Sequence, residues 1–138
     1  MSRTREAPRV PLSWGELLDK ITILEITTAR ITDPAARANV ARELGLLQDI
    51  ARPVLPEPGL APLLGRLRAV NRALWVIEDD IRLKEARGEF DAGFIRLARS
   101  VYRTNDERSA VKRQINLLLG AALVEEKCHP TGRAGGGP

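Results

Sequence analysis

Paired cysteine is missing from this chain. Its single cysteine, Cys128, has no partner for an internal disulfide and stands beside the only histidine, His129, in a Pro/Gly-rich tail. Two adjacent ligands without companions do not make the tetrahedral set a zinc site needs, so no metal site is expected. Nor does any apolar run approach the roughly 20 residues of a membrane span. The opening MSRTREAPRVPL is basic but has no apolar core of a secretory signal. A soluble, cytoplasmic protein is the expectation. Also missing are a GxxxxGK[ST] loop, a GxSxG elbow and an HExxH pair. The helical patterning described below leaves no room for an α/β nucleotide crevice, which disfavours a glycosyltransferase or kinase.

A one-signed body is absent too. The net charge of +4 comes from the two ends, +2 from residues 1–12 and +2 from residues 127–138, so the stretch between them is neutral. That is a weak footprint for a dedicated nucleic-acid binder. One region is locally basic, with Arg96, Arg99, Arg103, Arg108, Lys112 and Arg113 against Asp106 and Glu107. It reads either as a solvated helix face or, if nucleic acid is the partner, as a surface with salt-dependent affinity.

The 138 residues suit one domain, large enough to fold without staples. The pattern within them predicts five helices. Ser13 and Glu16 form a capping box ahead of Leu17, Leu18, Ile21, Leu24 and Ile31, a helix expected to be central. Its ITILEITT stretch has strand propensity, which the cap and the continuing helical spacing outweigh. Asp33 and Pro34 open a second helix through Val40, Leu44, Leu47 and Ile50. The segment PVLPEPGLAP is a loop within the domain. Helix three runs from about Pro62 to Arg87, with Leu63, Leu67, Val70, Leu74, Ile77 and Ile81 at bundle spacing and Gly88 as its stop. Phe90, Phe94, Leu97, Ala98 and Val101 define helix four, and Thr104 with Glu107 reads as the capping box of helix five, reaching Lys127. The expected architecture is all-α: a single compact bundle of about five helices at residues 12–127, a flexible basic arm at 1–11 and a disordered tail at 128–138.

Two polar stripes stand out against this frame. On helix five, Asn105, Arg108, Lys112 and Asn116 fall within roughly 80° of one another at about 100° per residue, beside the apolar Val111 and Ile115. On helix three, Asn71, Trp75, Glu78, Arg82 and Glu85 share a stripe in the same way. Were the two to face each other, they would form either an interhelical ion network or a pocket for a phosphate, carboxylate or sugar acid. Glu78 or Glu85 would be the general acid or base if burial held its proton near neutrality. The plainer alternative makes Trp75 a core residue and the charges its solvated flank.

The blocks VPLSWGELLDKITILEI, VNRALWVIEDDIR, FIRLARSVYRTNDERSAVKRQIN and LVEEK resemble those of a domain-of-unknown-function family of small bacterial proteins, over roughly residues 10–127. The resemblance implies a cytoplasmic, all-helical protein. It also suggests surface-polysaccharide and lipopolysaccharide biosynthesis, because some members are similar to products of genes near such loci. It brings no reaction, cofactor or catalytic residue. The expectation is a helical accessory or ligand-binding domain with a protein partner or an anionic small molecule, and a homodimer would suit so small a bundle. The alternative is a small enzyme on a phosphorylated or carboxylated metabolite. It would be similar either to the helical nucleotide pyrophosphohydrolases, through Glu78, Asp79, Asp80 and Glu85, or to the helical chorismate mutases, through LLDKITILEITTARI.

Overall fold

The computed structural model describes residues 3–120. Four helices follow one another in it: α1 (Trp14–Arg30), α2 (Pro34–Ala51), α3 (Leu60–Ala86) and α4 (Ala92–Leu118). The described residues form no strand, and no helix among them is long and apolar enough to cross a membrane. Cys128, His129 and the expected run of the last helix to Lys127 lie outside the described residues.

Each start has a local cause. The Ser13 hydroxyl accepts from the Glu16 amide at 3.1 Å, and the Asp33 carboxylate accepts from the Ala36 amide at 2.9 Å, with Pro34 in the first turn. The β-branched stretch of α1 stays helical, and the hydroxyls of Thr27 and Thr28 fold back onto the carbonyls of Ile23 and Leu24. After Ala51 the chain makes three successive turns, from Ala51 to Val54, Val54 to Glu57 and Glu57 to Leu60. Gly59, with φ of 87°, swings it into α3. Pro62 sits in the first turn of that helix, where the missing N–H has no intrahelical partner to lose.

The expected helices four and five are one. Thr104 and Glu107 lie inside α4, which runs unbroken for 27 residues from an N-cap at Asp91. A Thr-x-x-Glu pair caps only where the backbone at the Thr leaves the helix. With no glycine or proline between Phe94 and Leu118, propagation costs less than stopping and nucleating again. Helix four therefore does not end at Tyr102-Arg103.

α1 lies against each of the other three helices, and α3 packs along α4 as an antiparallel hairpin. The core is built from Leu17, Leu18 and Ile21 of α1, Ala51 of α2, Leu60, Leu64 and Leu67 of α3, and Val111 and Ile115 of α4. This body covers only part of the hairpin: the last buried residue of α3 is Leu74 and the first of α4 is Val111. The distal part is closed at its tip by Gly88 at φ of 66°, by the ring edge of Phe90 on Phe94 and by Lys84, whose ammonium donates to both Asp91 carboxylate oxygens at 3.1 Å.

Gly15 marks the closest approach of α1 to α4. A Cβ there would stand 2.5 Å from the Lys112 carbonyl oxygen, a backbone atom that has no rotamer to turn aside. Gly15→Ala should destabilise the protein by about 1–3 kcal/mol through overpacking. Gly45→Ala and Gly65→Ala, where an added Cβ meets nothing within 4 Å, should stabilise it by about 0.5–1 kcal/mol. Urea unfolding of the three variants checks both signs.

The hairpin tip has a pH signature. The backbone amide of Phe94 and then the ammonium of Lys84 hold the Asp91 carboxyl below its ordinary value of 3.8, while the Asp91 carboxylate raises Lys84 above 10.5. The Asp91 contribution is thus present above the ordinary carboxyl range and lost as pH falls through its lowered pKa; that of Lys84 persists until pH rises through its raised one. Asp91→Asn keeps a capping oxygen but not the ion pair, so it should reduce the acid-induced rise in amide exchange at Phe94 and Ile95, measured against the parent protein by NMR.

Candidate functional site

A buried polar cluster joins α1 to the hairpin. Asp19, 1% exposed, accepts from Arg108 through both oxygens, with Nε to Oδ1 at 2.8 Å and Nη2 to Oδ2. Its Oδ1 also accepts from the Asn71 amide at 2.9 Å. The second hydrogen of that amide goes to the Thr22 hydroxyl at 2.8 Å, which in turn donates to the Asp19 carbonyl at 2.7 Å. A carboxylate so placed is tolerable only because a fork of two cationic donors and a neutral amide replace its water.

One turn toward the start of α1 the pairing repeats in another form. Lys112 Nζ donates to Glu16 Oε2 at 2.6 Å, and the Asn116 side-chain oxygen accepts from the Gly15 amide at 2.7 Å. That amide is one of the first-turn donors that a helix leaves unsatisfied, so α4 supplies a second cap to α1 beside Ser13. The Asn116 amide nitrogen is buried and has no hydrogen-bond partner among the described residues.

Four of the residues singled out in the sequence, Asn71, Arg108, Lys112 and Asn116, therefore come together, but they meet α1 and not an opposing stripe. Asn105 is half-buried on α4, further toward the hairpin tip. Trp75 is half-buried with the Arg30 guanidinium 5.4 Å over its ring, and Glu78, Arg82 and Glu85 stand exposed on the distal hairpin. Among the described residues no group of three or more acidic, His or Cys side chains is placed to hold a metal ion, so Glu78, Asp79, Asp80 and Glu85 do not converge. The decisive carboxylates, Asp19 and Glu16, belong to α1. Their signal in the sequence was an i, i+3 pair on a helix otherwise read as apolar core.

Two grooves border α1. The first, of about 190 Å³ between α1 and α3, is lined by Thr22, Glu25, Ile26, Ala29, Arg30, Arg68 and Arg72. Among the described residues three guanidinium groups border it against one carboxylate. Arg68 donates to Glu25 through Nε at 3.0 Å, and Arg30 stands 3.7 Å from Asp79. Arg72 has no ion-pair partner among the described residues. The second groove, of about 470 Å³, lies where Pro8, Arg9, Val10 and Leu12 meet Trp14, Leu17, Leu47 and Ile50.

Removing one side of the central pair should be asymmetric. Arg108→Met strands a carboxylate that is almost wholly enclosed and should cost about 3–5 kcal/mol. Asp19→Asn should cost less, because the Arg108 side chain, 27% exposed, can turn to water. The double variant Asp19→Leu/Arg108→Met should recover much of the loss, and a double-mutant cycle from urea unfolding measures it.

No curated protein and no solved structure matches the chain. Residues 8–138 match the family described as "Family of unknown function (DUF6165)". That match covers nearly the whole length, with the polar cluster, both long helices and the lining residues of both grooves inside it, and the chain belongs to this family of unknown function.

Proposed function

We propose that the protein is a non-catalytic accessory domain that binds an anionic group, phosphoryl or carboxylate, in the groove between α1 and α3. The observation that carries this reading is the set of three guanidinium groups, Arg30, Arg68 and Arg72, around one small groove in which, among the described residues, Glu25 is the only lining carboxylate. Arg offers a planar fork suited to both ligand classes. The anion is thereby moved off the face where the sequence suggested it, since Arg108 and Lys112 each hold a carboxylate of α1. Of that expected set, Asn71 supports the groove through Thr22, and the Trp75 ring backs the Arg30 guanidinium. Surface-polysaccharide biosynthesis, the setting that the family resemblance suggests, would supply such ligands as sugar phosphates and uronic acids. A catalytic role on the same metabolites has less support: Glu25 is engaged by Arg68, and neither Glu78 nor Glu85 lines the groove.

Titration calorimetry with inorganic phosphate, pyrophosphate, glucuronate and a sugar nucleotide tests the reading. Arg72→Ala should weaken binding about 10-fold or more while leaving the unfolding midpoint near that of the parent, the loss expected for one charge-assisted contact. Absence of heat with every anion rejects the site, and turnover of any of them replaces the accessory reading with the enzymatic one.

A further inference from the structure

The apolar repeat of the hairpin outruns the body that should cover it. On α3 the bundle-spaced series continues past Leu74 to Ile77 and Ile81, yet beyond Leu74 nothing on that helix is buried. On α4 the residues before Val111 are in the same state. Two helices in contact shield only the seam between them, so Ile77, Ile81, Phe94, Leu97 and Val101 remain half-buried.

The side left open is the one that α1 occupies lower down. At alternating steps of four and three, Asn71 and Trp75 continue into Glu78, Arg82 and Glu85; on α4, Lys112 and Arg108 continue back through Asn105 into Val101, Ala98 and Phe94. In the body α1 lies in this furrow and meets its polar residues one by one. Past the end of α1 the furrow runs on toward the tip with a floor of Ile81, Phe94, Ala98 and Val101. Its α3 rim carries Glu78, Arg82 and Glu85. Along its α4 rim stand Ile95 and Tyr102, 56% and 65% exposed, with Arg99 between them on the same stripe.

We infer that a second copy of this chain fills the furrow, so that two distal hairpins pair about a twofold axis as a four-helix bundle. Self-complementarity picks the occupant. In the distal part, α3 carries Glu78, Asp79, Asp80 and Glu85 against Arg82 and Lys84, whereas α4 carries Arg96, Arg99 and Arg103 and no acidic residue before Asp106. An isologous contact brings the α4 rim of each copy over the α3 rim of the other. Ile95 and Tyr102 then enter the apolar floor, and Arg99 meets the partner's Glu78 and the partner's Glu85. Those three arginines make no ion pair among the described residues. Glu78 and Glu85 of the sequence stripe on α3 thus gain a role that neither the cluster on Asp19 nor the α1–α3 groove gives them.

Sedimentation equilibrium of the full chain at tens of micromolar is the test. A dimer is expected, weakened at least about 30-fold in Ile95→Glu and in Tyr102→Glu, the loss typical of a central interface residue, with helical circular dichroism unchanged. Arg99→Glu should weaken it, and adding Glu78→Arg and Glu85→Arg should restore it, which general misfolding would not do. A monomer at that concentration overturns the inference, whether the furrow is empty or serves another protein. So does a dimer indifferent to all of these substitutions. Phosphate binding by a monomer would leave the α1–α3 groove standing alone, so the two readings fail separately.

Discussion

A carboxylate that is almost wholly enclosed has to find inside the protein every hydrogen bond that water gave it. Asp19 does so with Arg108 on one side and Asn71 on the other, which means that its burial fixes two helices at once. An apolar contact in the same place would tolerate a slide of one turn, since Leu meets Leu in either register. A bidentate guanidinium does not, because a shift of α4 by a turn, about 5.4 Å, leaves a charge stranded on each side. The stability gained from such a pair is modest, but the penalty on the wrong arrangement is large. The rest of the body follows from that choice of register.

With Asp19 seated, Glu16 lies one turn back along α1 and faces Lys112, one turn on along α4, at 2.6 Å. The same register sets Gly15 against the Lys112 carbonyl and lets Asn116 reach the Gly15 amide. The helices approach so closely here that a methyl group has no room, and the gain is a cap for the start of α1 supplied from a hundred residues away. One cost is the amide nitrogen of Asn116, which the same geometry buries without a partner among the described residues. Sequence-local capping by Ser13 and tertiary capping by Asn116 therefore meet at one helix end, and the core formed by Leu17, Leu18, Val111 and Ile115 closes directly below them.

Much of this was legible in the chain. Caps at Ser13 and Asp33 and the stop at Gly88 depend on backbone chemistry within a few residues, and each appears where the sequence puts it, whereas the proline-rich connection is shorter than expected because Leu60, Ala61 and Pro62 already belong to α3. The polar residues on α3 and α4 were also conspicuous, because amides and cations beside an apolar stripe need a reason to be there. What they face is not legible: pairing is a tertiary fact, Glu16 looks like a local capping partner of Ser13 when its carboxylate in fact holds Lys112, and Asp19 gives no local sign of its partners. The false break at Thr104 has a related cause. A Thr followed by Glu at three residues looks the same inside a helix as at its start, and only the backbone tells them apart. The true cap is Asp91, one residue after the Phe90 with which the apolar pattern begins.

The two long helices carry one further consequence. α3 and α4 each run unbroken from the hairpin tip to the core, with no proline or glycine between Arg66 and Arg87 on the first or between Phe94 and Leu118 on the second. A helix of that length bends gently but does not hinge without such a residue. The orientation of the distal hairpin is therefore set by the same contacts that seat Asp19, and anything that grips its far end acts on Arg108 and Asn71 through continuous backbone. Arg30, lying over Trp75 and near Asp79, stands where α1 ends and the uncovered furrow begins. It is at once a wall of the α1–α3 groove and a contact of the body with the hairpin at Trp75 and Asp79, which sets the proposed anion groove and the furrow on either side of a single guanidinium.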